Sequence, residues 1–198
     1  YVDADYAVPH YTPTVMTFAD VAKEHWAYQN IEAAVMMDWF KGTSETTFSP
    51  DMGMTRAMLV TVLSRITDTA VSSESAPFTD VSANAWFAKA VKWAYNAGVV
   101  ETSDKFRPDE MATREEMADM LYRFTLKQYK TKSYEEEGKT LTFSDASSVT
   151  PEYAAGIAFA VDNGIIAGYP DGSVKPKGGA TRAEVATMIK RFVDFYKV

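Results

Sequence analysis

Cysteine is absent from the chain, which rules out a disulfide framework and any cysteine metal site. That absence suits an extracellular protein avoiding stray thiol chemistry, although many cytosolic chains share it. Histidine is almost as scarce, with His10 and His25 the only two. No HExxH, G-x-S-x-G or glycine-rich phosphate loop occurs, and no pair of carboxylates stands out for glycosidase chemistry among 27 acids. The expectation is therefore a chain that is not an enzyme and carries no cofactor and no metal. Basic residues are also in deficit, 20 against 27, giving a net charge of −7 and a pI of about 4.9, which argues against nucleic acid as partner. No apolar run approaches the roughly 20 residues of a membrane span. The chain opens at Tyr1 without an initiator methionine or a signal-peptide pattern, so we expect a mature product or a piece of a longer protein.

What the chain has instead is repetition. Phe18-Ala19-Asp20-Val21, Phe78-Thr79-Asp80-Val81 and Phe143-Ser144-Asp145-Ala146 open three segments about 60 residues apart. Each continues into an aromatic pair or its remnant, Trp26-Ala27, Trp86-Phe87 and Glu152-Tyr153, then a short apolar helix pattern. Gly98 and Gly164 follow where a helix takes a left-handed C′ residue, with Asp38 in that place in the first copy. A loop then reaches Phe48-Ser49-Pro50, Phe106-Arg107-Pro108 or Val174-Lys175-Pro176.

Seven positions after each loop's apolar residue comes a threonine followed by arginine: Thr55-Arg56, Thr113-Arg114 and Thr181-Arg182. From that threonine, apolar residues recur at +4, +7, +8 and +11 in all three copies, Leu59 to Ile66, Met117 to Phe124 and Val185 to Phe192. This is one face of an α-helix. Arg65, Arg123 and Arg191, deep in these helices, read as structural pairing residues. The predicted architecture is all-α: three helix-loop-helix repeats that bury their stripes together. The boundaries are a tail or linker at 1–17 and repeats at 18–77, 78–142 and 143–198, with 18–198 one structural domain. Connectors are expected at 67–77 and 125–142, the second holding the solvated run Tyr134 to Gly138.

Thr113 with Glu116, and Thr181 with Glu184, have capping-box spacing. In the first repeat Met58 replaces the acid. The box accounts for threonine and glutamate but not for arginine, because a cation at a helix N-terminus opposes the macrodipole by roughly 0.3–1 kcal/mol. Three repetitions of that choice point to something negative. Free backbone amides, a positive dipole end and a guanidinium fork together suit a carboxylate or phosphate. The rival account has each arginine pairing with a nearby acid, such as an F-x-D aspartate, to brace the repeats. Ligand binding is the favoured of the two.

The ordered blocks FADV…HWA, FTDV…WFAKAV and NGIIAGYPDGSVKP…TRAE resemble the S-layer homology (SLH) domain in its usual set of three motifs, from residue 18 to about 195. The resemblance implies a pseudo-threefold, three-pronged helical spindle with grooves between motifs. It implies an extracellular protein of the bacterial surface, anchored noncovalently to a secondary cell-wall polysaccharide, commonly pyruvylated, or within the same family to peptidoglycan. A pyruvate ketal carboxylate fits the arginine site. Ligand-binding candidates are Arg56, Arg114, Arg182, Thr55, Thr113 and Thr181, with Gly168, Tyr169 and Asp171 of the loop. Trp26 and Trp86 could stack on sugar faces, yet their places at helix starts favour core packing. Trp39 and Trp93 read as core, and Asp171 as a turn former rather than a calcium ligand.

The loop GYxDG is intact only at Gly168 to Gly172, and Glu152 stands where the family has tryptophan. Unequal grooves are expected, with Arg182 the most important arginine because its repeat keeps both loop and cap. The competing function class is a helical protein-interaction scaffold in which the arginines only brace.

Overall fold

A computed structural model describes residues 18–67, 76–129 and 141–196. Among these residues six α-helices run in chain order as α1 (Tyr28–Met36), α2 (Arg56–Ile66), α3 (Ala88–Asn96), α4 (Arg114–Tyr129), α5 (Ala154–Asp162) and α6 (Arg182–Tyr196). Single 3-10 turns, Ala146–Ser148 and Pro151–Tyr153, precede α5. Among the described residues the only β pairing is three isolated bridges, so the fold is all-α. The expected tail at 1–17, the run Tyr134 to Gly138 and most of the first connector lie outside the described residues.

The short helices end as their sequences dictate. Asp38, Gly98 and Gly164 have φ of 56°, 67° and 66°, and the following amides of Trp39, Val99 and Ile165 bond back to Ala34, Ala94 and Ala160. This 6→1 bond satisfies carbonyls that the helix end orphans. The long helices carry the periodic stripe, and all its residues except Ile66 are buried. One boundary needs correction. Helix α4 runs through Thr125 to Tyr129, where a connector was expected, because the Thr125 hydroxyl bonds the Leu121 carbonyl and is itself buried.

Partner choice among helices crosses the repeat boundaries. α3 packs on α2, α5 on α4, and α1 on α6. Each prong therefore joins the first helix of one repeat to the second helix of the repeat before it, and the α1–α6 pair closes the ring. At the centre the Ala112 amide bonds the Met54 carbonyl, Ala180 bonds Ala112, and Met54 bonds Ala180, at 2.9, 3.4 and 3.0 Å. These three buried residues form a closed cycle, one from each repeat.

Candidate functional site

The site is built on a strained loop corner. Ser49, Arg107 and Lys175, each preceding a proline, adopt left-handed φ of 58°, 61° and 50°, a conformation costly for residues with a Cβ. Asp20, Asp80 and Asp145 compensate: each carboxylate accepts the corner residue's amide and the one before it, all at 2.7–2.9 Å. Burial pushes the Asp20 and Asp80 carboxyls up, but the paired amide bonds outweigh it and hold both below the ordinary value. These aspartates serve the loop backbone, and among the described residues none lies within ion-pair distance of a TR arginine, which corrects the bracing account's choice of acid.

Having donated its amide to the aspartate, each corner exposes a carbonyl to the neighbouring repeat. Arg56 Nε donates to the Phe106 carbonyl at 2.9 Å, Arg114 Nε to Val174 at 2.8 Å, and Arg182 Nε to Phe48 at 2.7 Å. Arg114 Nη2 adds the Ala167 carbonyl at 3.1 Å and Arg182 Nη2 the Lys41 carbonyl at 2.6 Å. All three guanidiniums are buried, so each arginine braces the next repeat around the ring. The guanidinium of Arg182 lies 4.4 Å from the Phe48 ring centroid, that of Arg56 5.1 Å from Phe106 and that of Arg114 5.1 Å from Tyr169, cation–π contacts made by buried side chains.

The helix amides are not free. The arginine amides and those after them donate to Glu110 and Pro108, to Gly178 and Pro176, and to Met52 and Pro50 of the adjoining repeat. The expected anion site of open N-terminal amides is therefore replaced by a protein seam. A second correction follows from the same geometry: Arg182 faces the rewritten first-repeat loop, while the intact loop Gly168 to Gly172 lies beside Arg114.

The caps form as the spacing predicts. Thr113 and Thr181 hydroxyls accept the Glu116 and Glu184 amides, and Glu116 and Glu184 accept the threonine amides in return. Thr55 accepts the Met58 amide alone. What sequence reasoning missed is the other oxygen of each glutamate. Glu116 Oε1 lies 2.5 Å from Arg56 and 3.2 Å from Arg107. Glu184 Oε1 accepts the Tyr169 hydroxyl at 3.0 Å and lies 3.6 Å from Arg114. Met58 holds the sequence position of these glutamates in the repeat that Arg182 braces, and Arg182 has no carboxylate within 4.0 Å among the described residues. Burial, against a weaker pull from Asp20 and with Arg65 adding repulsion, lowers its pKa to about 10, so it stays cationic at neutral pH.

Grooves open over two of these seams. One of about 430 Å³ is lined by Arg56, the second-repeat loop, Glu116, Asp119 and Tyr153. The other, about 180 Å³, is lined by Arg114, Gly168, Tyr169, Glu184, Arg191 and Trp26. Each groove thus takes its arginine, its loop and its aromatic from three different repeats. Trp26 and Trp86 are 63% and 65% exposed, which corrects their assignment to the core. The N-cap residues Ala27 and Phe87 turn inward, so the tryptophans before them point out. Trp26 stacks on His25 at 5.7 Å and Trp86 meets Phe87 edge-on at 5.2 Å. Trp39 and Trp93 are buried, as expected.

Tyr169 is half-buried beneath Lys175, whose ammonium sits 4.0 Å over the ring. Burial raises its phenol pKa, the Arg114 cation opposes this, and the bond to Glu184 adds to it. Asp171 accepts the Ser173 amide and hydroxyl, the turn-forming role its sequence suggested. Of the deep arginines, Arg123 pairs with Asp119 and Glu101 at 2.6 and 2.5 Å, and Arg65 bonds the Trp39 carbonyl. Arg191 departs from the pairing expectation, being exposed on the second groove.

No helix among the described residues is long and apolar enough to cross a membrane. The family model described as the S-layer homology domain matches three times, at residues 17–57, 77–118 and 142–186. An amylopullulanase of Thermoanaerobacterium thermosulfurigenes is 36% identical over 87% of this chain but only 9% of its own length. Exoglucanase XynX of Acetivibrio thermocellus is 33% identical over 88% of this chain and 16% of its own. S-layer protein sap of Bacillus anthracis is 27% identical over 88% of this chain and 21% of its own. The chain thus spans a small fraction of these relatives, and the two enzymes align only over their S-layer homology region. Three matches in tandem on a ring of interlocked helices make the chain a member of the S-layer homology domain family, a cell-wall-anchoring module of the cell surface.

Proposed function

We propose that the module anchors its protein by binding a pyruvylated secondary cell-wall polysaccharide in the grooves between repeats. One observation carries the reading. Arg182, only 7% exposed, is fixed by two carbonyls through Nε and Nη2 and has no carboxylate against it. A buried cation with no carboxylate in contact is costly, commonly several kcal/mol, and a ligand carboxylate would offset that cost. A pyruvate ketal supplies such a group on a sugar ring, and an exposed indole supplies an apolar platform for the pyranose face.

Roles follow for the other candidates. Thr55, Thr113 and Thr181 fix where each helix begins, and so where each arginine starts. Gly168 and Asp171 shape the loop that presents Tyr169. Repeats 18–77, 78–142 and 143–198 act as one structural domain, because every groove needs three of them. Nothing in this assembly performs covalent chemistry.

Purified sacculi test this in a pull-down, before and after extraction of secondary polymer. Retention that disappears on extraction is the expected result. Undiminished retention on bare peptidoglycan would move the ligand to peptidoglycan, and no retention at all would leave only a protein scaffold.

A further inference from the structure

The three seams are alike in backbone but graded in charge. The residue three after the TR threonine is Glu116 in the first seam, Glu184 in the second and Met58 in the third. Three residues further on stand Asp119, Thr187 and Thr61, and after the buried apolar pair of each loop come Glu101, Ala167 and Lys41. The arginines are constant, Arg56 with Arg123, Arg114 with Arg191, and Arg182 with Arg65. In the first seam carboxylates already occupy them: Glu116 takes Arg56, while Asp119 and Glu101 take Arg123. The second retains one long pair, Arg114 to Glu184 at 3.6 Å. In the third, Lys41 reaches only exposed Asp38, at 3.7 Å, and both arginines donate to neutral carbonyls.

The aromatic of the third seam is Trp86. Trp26 precedes α1, which packs on α6, and lines the groove along α6. Tyr153 precedes α5, which packs on α4, and lines the groove along α4. Trp86 precedes α3, which packs on α2, the helix carrying Met58 and Arg65. An exposed indole and a buried cation with no contacting carboxylate thus belong to one seam.

We propose that the seam between the third and first repeats is the site that selects a carboxylate-bearing sugar, and that Met58 sets this selectivity by leaving Arg182 with no carboxylate in contact. In the first seam Glu116 fills the place a ligand carboxylate would take. This ranking rests on the glycan-binding reading above and adds which groove is anion-selective and why.

The test uses the whole chain with a pyruvate-ketal methyl hexoside as probe and its methyl ester as neutral control, followed on the tryptophan indole N–H resonances. The Trp86 resonance is expected to shift at lower probe concentration than Trp26, and the ester to shift it far less. Met58→Glu, which restores the capping acid and so should not harm folding, is expected to weaken probe binding at least tenfold. Met58→Gln, which caps without charge, is expected to leave it nearly unchanged. Trp26 responding first, or Met58→Glu binding as wild type does, would overturn the ranking and leave glycan binding standing. No response from any tryptophan, together with no retention on sacculi, would overturn both.

Discussion

A single carboxylate at each F-x-D start holds two backbone amides of a left-handed corner, and everything at the seam depends on that corner's carbonyl. For Asp20 and Asp80 the folded pKa is lowered, so their stabilisation is present above the unfolded value of about 3.9 and is lost as pH falls through the folded value. Asp80→Asn keeps one acceptor oxygen of two. It should lower the thermal midpoint at neutral pH, with the gap to wild type closing below about pH 4, as an acid series of melts would reveal. At this scale the arginine's identity was legible in the sequence and its immediate partners were not. The TR repeat announced a cation where the dipole disfavours one, but the carbonyl receiving it lies in another repeat, and no local spacing encodes that. Binding measured by calorimetry should fall about ten- to a hundredfold for Arg182→Ala, the worth of a charge-assisted contact, and less for Arg56→Ala, whose cation Glu116 already neutralises. Arg182→Lys should recover part of the loss, since an ammonium cannot reproduce the fork.

Helices α2, α4 and α6 were readable from period and cap, and the C′ residues of α1, α3 and α5 from one position each. The pairing of helices was not readable, because three copies of the same stripe fit a partner within a repeat as well as one across a boundary. Loop geometry decides it: the corner carbonyls and the central Met54–Ala112–Ala180 cycle draw each TR helix onto the next repeat. Close approach shows at Gly156 in α5, where an added Cβ would lie 2.6 Å from the Asp119 Cα and 2.7 Å from its amide nitrogen. Gly156→Ala should therefore force α5 away from α4. Overpacking costs typically 1–3 kcal/mol, set against about 1 kcal/mol of helix propensity gained. The net effect expected is a lower urea midpoint. An unchanged or higher midpoint would show that the α4–α5 contact gives way easily.

Interlocking should make the molecule one cooperative body. Each prong is shared by two repeats and each groove by three, so a repeat cannot be removed without opening two seams. Calorimetric and van't Hoff enthalpies should agree on one transition, and deletion of 143–198 should leave no folded two-repeat remnant, because α1 would lose α6 and α4 would lose α5. Two resolved transitions would contradict that. The whole molecule is also acidic, net −7, which weighs against nonspecific attraction to a polyanion. The most direct measurement is accordingly titration of the intact chain with purified wall polysaccharide, native and stripped of pyruvyl groups by mild acid, at the same ionic strength. Strong binding to the native polymer and a loss of at least tenfold on stripping is the outcome predicted; equal affinity for both would contradict carboxylate recognition by the buried arginines.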